Sequence, residues 1–296
     1  MRELKGVVAP DPTKAGVEGL SVQFQAKLFL PISSPTAGEL VEWDHFGSTL
    51  LAVGFRIGDQ FAVEGSAVMI GPGLALSARH VLEPHLPQIM ASKHVPILAA
   101  ITPDGLQLWA IKQVILNDHD VVILRIDLCS ALPSSGEIEM AGLTTRLPRP
   151  GEIVQIAGFR ATGTHRTGVS GQVRVGIGEV TDVFPLRRDS VLLPHPCFSV
   201  RCLTLGGMSG GPAFDADGHL LGVLTSSVEH NEGPSTVSLA WPVFCSAIET
   251  FWFADVVELP TSIARLAAQG LIQLEKPEAY LEMSSTRGQL TQWTER

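Results

Sequence analysis

The chain has 296 residues, 45% of them hydrophobic, with 29 glycines, 20 prolines and a formal net charge of −9. That length allows one large domain or two small ones around a sizeable core, and the mix suits a turn-rich globular protein rather than a disordered one. The acidic balance, and the lack of a basic run interleaved with aromatics, argue against nucleic acid or an anionic membrane as the main partner.

The start, M-R-E-L-K-G-V-V-A-P-D-P, lacks an apolar stretch and a small-residue cleavage site, so no secretory leader is expected. Residues 1–47 contain Pro10, Pro12, Pro31 and Pro35 and one largely apolar run, Val22–Leu30. They read as an extension carrying one strand. From Ser48 short apolar runs follow one another closely: Ser48–Ile57, Gly65–Ile70, Leu74–Ser77, Ile97–Ile101, Leu108–Leu116 and Val121–Ile126. Turn residues separate them, among them G-P-G at Gly71 and P-D-G at Pro103. Many short strands at regular spacing predict an all-β barrel or sandwich. None of the runs is long enough to span a membrane.

Residues 130–150 read as a connection, which divides a first β region at 48–135 from a second at 136–250. The second contains Ile153–Phe159, Gln172–Phe184, Phe198–Leu205, Leu220–Ser226 and Val237–Pro242. D-A-D-G-H, Asp215–His219, lies between two apolar runs and predicts a hairpin. In the tail, 251–296, Ile263, Leu266, Ala267 and Leu271 recur at helical spacing behind Thr261, which predicts a short capped helix. The four cysteines, Cys129, Cys197, Cys202 and Cys245, form no C-x-x-C pair and no standard zinc spacing. They read as free thiols in a reducing compartment, with a cytoplasmic location expected and no metal or cofactor.

Three segments carry chemistry. Leu205–Pro212, L-G-G-M-S-G-G-P, surrounds Ser209 with glycines, and the N–H groups of Gly207 and Ser209 can converge on one oxygen. A plain glycine turn is the bland alternative. His80 follows the apolar strand L-A-L-S-A, Leu74–Ala78, at its exit. Asp120 stands directly before V-V-I-L, where a half-buried carboxylate can hold an imidazole in one tautomer. Asp118 is its rival.

S-A-R-H-V, D-V-V-I-L-R-I and G-M-S-G-G-P together resemble the three signature segments of the trypsin-like, chymotrypsin-fold serine peptidases, in the family's order. The spacings are 40 residues from His80 to Asp120 and 89 from Asp120 to Ser209, and the resemblance covers roughly residues 48–250. It implies two six-stranded antiparallel β-barrels, with an N-terminal extension and a short α-helical C-terminal tail. The first barrel carries His80 and Asp120 and the second Ser209. The implied activity is endopeptidase hydrolysis of a polypeptide substrate through an acyl-enzyme, with Ser209 as nucleophile, His80 as base, Asp120 as orienting acid, and Gly207 and Ser209 as the oxyanion hole.

The family also implies that Thr225, Ser226 and Ser227 pair with the peptide backbone. Leu203, six residues before Ser209, stands where trypsin proper has an acidic pocket base, so an apolar or small residue is expected before the scissile bond. Val81 and Met208 depart from animal members, which have a cysteine and an aspartate there. The pattern is closer to bacterial and HtrA-like members, although the 46 residues past Thr250 are too few for a PDZ domain.

Two other readings stand beside this one. A silent or latent barrel that binds peptides or a regulatory protein would keep the same motifs. An α/β-hydrolase esterase would use G-M-S-G-G as a nucleophile elbow, but that fold needs its acid and histidine after the serine, where only 87 residues remain. Oligomeric state is not legible.

Overall fold

A computed structural model describes residues 7–10, 21–32, 39–40, 42, 44–58, 60–165, 168–226, 234–251, 257–275, 281–283 and 290–293. Three strands precede the barrels: β1 (Val7–Pro10), β2 (Ser21–Lys27) and β3 (Glu39–Leu40). The first barrel is built by β4 (Leu50–Ile57), β5 (Gln60–Gly71), β6 (Leu74–Ala78), β7 (His94–Thr102), β8 (Gly105–Ile115) and β9 (Val121–Leu128). They close in the order β4-β5-β6-β9-β8-β7. Alternation decides which side chains fill it. Along β7, Leu98, Ala100 and Thr102 are buried, while Ile97, Ala99 and Ile101 between them are only half-buried. Trp109 on β8 is fully buried.

Two short strands, β10 (Glu137–Ala141) and β11 (Leu143–Thr144), cross to the second barrel. That barrel comprises β12 (Ile153–His165), β13 (Gly168–Phe184), β14 (Cys197–Arg201), β15 (Pro212–Phe214), β16 (Leu220–Ser226) and β17 (Ser235–Leu239). They run antiparallel in the order β12-β13-β14-β17-β16-β15. β15 closes the ring by pairing with both β16 and β12, the latter through Gln155↔Phe214 and Ile156↔Ala213. This is the all-β, two-barrel chymotrypsin-like fold, and it leaves no place for an α/β-hydrolase sheet.

The N-terminal segment is tied to both halves. β2 pairs in parallel with β10, and Phe29 packs on Phe46 and Phe214 with ring centroids 5.3 and 5.0 Å apart. Helix is scarce. α1 (Arg79–Leu82) and α2 (Leu86–Met90) follow β6, and α3 (Ile263–Ala268) lies in the tail. The cap of α3 is Ser262, whose hydroxyl accepts from Arg265 N at 3.3 Å. Thr261, the cap expected from the sequence, instead exchanges backbone bonds with Ile248. Gly270, at φ +77°, ends the helical stretch. β18 (Leu274–Glu275) then pairs in parallel with β11, and β19 (Leu281–Met283) pairs with β20 (Leu290–Trp293). Among its described residues the tail holds the short helix expected there, α3, with short strands after it.

Candidate active site

Strand register brings the first two site residues together. β6 and β9 run antiparallel with Ala78 opposite Val121. The next pair outward is Arg79 and Asp120, and Arg79 N donates to the Asp120 carbonyl at 2.7 Å. One residue further the chain turns into α1, which places His80 over the Asp120 side chain. The carboxylate receives His80 N at 3.1 Å and His80 Nδ1 at 3.1 Å on Oδ1 and 2.9 Å on Oδ2. Facing a carboxylate, Nδ1 carries the proton, which leaves a lone pair on Nε2. The imidazole is 43% exposed and the carboxylate 14%, so the ring reaches a surface while its anchor is sheltered. Asp118, the rival acid, makes no hydrogen bond to His80 among the described residues.

Ser209 comes from the other barrel, on the loop between β14 and β15. The loop is held from both sides. On its own barrel, Gly210 N donates to Leu224 O at 2.8 Å and Leu224 N to Gly211 O at 2.9 Å. On the first barrel, Ser66 N of β5 donates to Ser209 O at 2.7 Å. Gly210, at φ +81°, sits so close that a Cβ there would lie 2.2 Å from Ser66 O and 2.9 Å from Ala78 N. Ala78 is two residues before His80, so this contact docks the serine loop onto the strand that delivers the histidine. No hydrogen bond joins Ser209 Oγ to His80 among the described residues; such bonds commonly tighten only with substrate in place.

The donors of the loop divide cleanly. Met208 N bonds to Leu205 O and Gly211 N to Met208 O. The N–H groups of Gly207 and Ser209 meet no acceptor among the described residues. Gly207 holds φ +91°, a conformation that costs glycine little and other residues much. Met208 is fully buried and seats against Gly158, where a Cβ would come within 2.6 Å of Met208 Cα. Its side chain therefore anchors the loop by packing.

Ser66 was not anticipated from the sequence. Besides its backbone bond to Ser209, its hydroxyl donates to Gly207 O at 3.0 Å and accepts from Phe159 N at 2.8 Å. Ser77 Oγ in turn donates to Ser66 O at 2.7 Å. The hint was a hydroxyl within the apolar run Gly65–Ile70, which has no signature of its own.

The expected substrate-side residues are placed less uniformly. Thr225 is buried, and its hydroxyl bonds to that of Ser238, which also meets His195 Nε2 at 2.7 Å. Ser226 continues β16 opposite Thr236, while Ser227 lies outside the described residues. β15 reaches only Val223, so no strand pairs with that edge of β16 past Leu224 among the described residues. Leu203 is 41% exposed and points outward between Cys202 and Thr204, which are buried. Thr204, whose hydroxyl meets that of Ser235 at 2.7 Å, is the inward residue there.

Two antiparallel barrels, with a carboxylate-bound histidine on the first and a glycine-flanked serine on a loop of the second that docks against it, have the layout of the trypsin-like class of peptidase. A family model described as the trypsin-like peptidase domain matches residues 65–223, more than half of the chain. The chain belongs to the trypsin-like peptidase family. The mouse peroxisomal leader peptide-processing protease is 28% identical to it over 182 residues, 59% of this chain and 27% of that protein. The chain therefore spans about a quarter of that relative's length. Among solved structures, it is similar to neuropsin, a serine protease expressed in the limbic system of mouse brain, at 14% identity and a TM-score of 0.49, over 68% of this chain and 93% of the other. A mutant of human heparin binding protein gives 18% identity and the same TM-score, over 68% and 90%.

Proposed function

We propose that the protein is a serine endopeptidase with Ser209 as nucleophile, His80 as general base and Asp120 as the group that orients it. The observation that carries this reading is the Asp120–His80 bond, which leaves Nε2 uncommitted, together with a serine loop in which the N–H groups of Gly207 and Ser209 are free to meet an oxyanion. Ser209 Oγ attacks the carbonyl carbon of a polypeptide substrate as His80 Nε2 takes the hydroxyl proton. The carbonyl oxygen becomes an oxyanion in reach of Gly207 and Ser209 N–H. Collapse breaks the C–N bond, and the amine leaves with the proton from His80. A water then repeats the sequence on the acyl-enzyme and frees Ser209. The unpaired edge at Thr225 and Ser226 offers backbone groups to the acyl side of the substrate as an added strand.

The test is reaction with a fluorophosphonate probe beside Ser209→Ala and His80→Ala. Labelling of the wild type alone is expected, because a serine hydroxyl is a weak nucleophile until a base activates it. Equal labelling of Ser209→Ala would move the nucleophile elsewhere, and an unlabelled wild type would make the barrel a silent one.

A further inference from the structure

The outer face of the first barrel has an apolar groove of about 350 Å³, within the size range of ligand pockets. Its floor is made of small residues, Ala52, Gly54 and Ala99, between larger ones, Ile97 and Leu108. The depth follows from that difference in size. Phe61 and Leu106 stand at the edges, 37% and 58% exposed. The barrel interior is filled separately, by Val53, Leu98, Ala100 and Trp109. The outward residues back onto that core, Ala52 within it and Val63, Ala99 and Ile101 packed against it, and leave an apolar face towards the outside of the barrel.

The groove adjoins the candidate active site. Its far wall is Phe159–Ala161 of β12. Gly207 abuts that same segment: a Cβ on Gly207 would lie 2.9 Å from Phe159 O, 3.4 Å from Arg160 Cα and 3.8 Å from Ala161 N. β16, the strand suited to the acyl side, flanks the Ser209 loop through Leu224, whereas Phe159–Ala161 flanks Gly207. A chain that enters along β16 and crosses Ser209 leaves towards the second flank. Arg160 is the one charged residue of the lining, and its guanidinium makes no ion pair among the described residues.

From this arrangement we infer that the groove receives the leaving-group side of a polypeptide substrate, as an apolar segment with an acidic residue next to the scissile bond. The inference rests on the peptidase reading above. The small floor residues admit branched aliphatic side chains, and Arg160 supplies the countercharge at the mouth. Specificity is then set on the leaving-group side by a barrel face that takes no part in the bond-breaking step.

Two measurements test it. In the first, internally quenched peptides share one acyl side, chosen from a library that the wild type cleaves. They continue past the scissile bond as Asp-Leu-Val-Leu, Lys-Leu-Val-Leu or Gly-Ser-Gly-Ser. The Asp-Leu-Val-Leu peptide is expected to exceed the Gly-Ser peptide in kcat/KM by about tenfold or more, the usual worth of a filled apolar pocket. Ala99→Leu, which plugs the floor, and Leu106→Glu, at an exposed edge, should bring that ratio within each variant close to one. Arg160→Glu should turn the preference for Asp into one for Lys. A wild-type ratio near one, or a ratio that none of these variants moves, overturns the inference.

In the second, fluorescein-labelled Asp-Leu-Val-Leu-amide is titrated into the Ser209→Ala protein and followed by anisotropy. Binding that Ala99→Leu and Leu106→Glu both weaken supports the groove, and binding indifferent to both overturns it. Groove-dependent binding by a protein that fluorophosphonate never labels would overturn the assignment to a leaving group and the peptidase reading together. Labelling without groove-dependent binding would overturn the groove alone.

Discussion

Ser66 Oγ bonds to Gly207 O and Phe159 N at once, so a hydroxyl on one barrel sets the peptide that follows Gly207 on the other. Ser66→Ala keeps the Cβ but leaves the buried N–H of Phe159 without an acceptor. The expected cost is about 1–3 kcal/mol of stability, readable as a lower urea midpoint at constant slope. Turnover should fall further than stability accounts for, by about ten- to a hundredfold, since small displacements of a reacting group are costly. Unchanged kcat in a destabilised variant would leave Ser66 a fold residue only. Asp120→Asn is the complementary change. An amide in place of the carboxylate can donate to His80 Nδ1 and trap the wrong tautomer, and turnover should drop on the order of 10⁴-fold. The measurement is kcat on an activated ester, with the circular-dichroism spectrum as a check that the barrels persist. A loss of only a few-fold would mean that Asp120 does not orient the base.

At the scale of elements, the hairpin joining β15 to β16 is held by charge as well as by pairing. Asp215 is fully buried; its Oδ1 accepts from Asp217 N and His219 N, and its Oδ2 from Arg146 at 2.7 Å. Arg146 also reaches Glu152 at 2.9 Å, so one guanidinium joins the crossing segment to both barrel-closing strands. Replacing Arg146 by Met would leave Asp215 buried without its partner, at an expected cost of about 3–5 kcal/mol. Thermal unfolding would show this, and a change within error would mean that water replaces the guanidinium. The D-A-D-G-H turn itself was legible, because Asp-Gly between apolar runs has one easy geometry, with Gly218 at φ +85°. The strands from Leu50 to Leu128 were legible as short apolar runs set apart by turn residues, and along β4 and β6 that run is buried almost throughout. β11 and β18 were not, because two residues carry no period. Nor was the groove. Ile97 and Ala99 stand in one apolar run with Leu98 and Ala100, and only the closed barrel separates the half-buried pair from the buried one.

For the whole molecule, three short segments located the candidate site, because each borders a strand whose register then fixes it. Ser209, 89 residues from Asp120 in the chain, is brought against the first barrel only by the docking of its loop on Ser66 and Ala78, which no local pattern encodes. The fold also shelters histidines, His195 almost fully and His85 and His119 in part. His45, His85, His119 and His195 all have pKa values lowered chiefly by burial. In the unfolded chain each takes up a proton as the pH falls through about 6.5, while in the fold the proton binds only at lower pH. Stability is therefore complete above that pH and declines as the pH falls from it towards the folded values. The midpoint of thermal unfolding should drop between pH 7.5 and 5.5. His195 Nε2 meets Ser238 Oγ at 2.7 Å, and His195→Gln keeps a polar group there without the titration, so its decline over that interval should be shallower. Asp189, held at about 2 by the N–H groups of Leu193 and Val191, loses its contribution only below about pH 4, outside the interval. Asp215, raised by burial, acts with the opposite sign in both proteins and cancels from the comparison. A decline as steep in His195→Gln as in the wild type would place the proton uptake at the other three histidines, and the buried chain Thr225–Ser238–His195 would then have no part in the pH response.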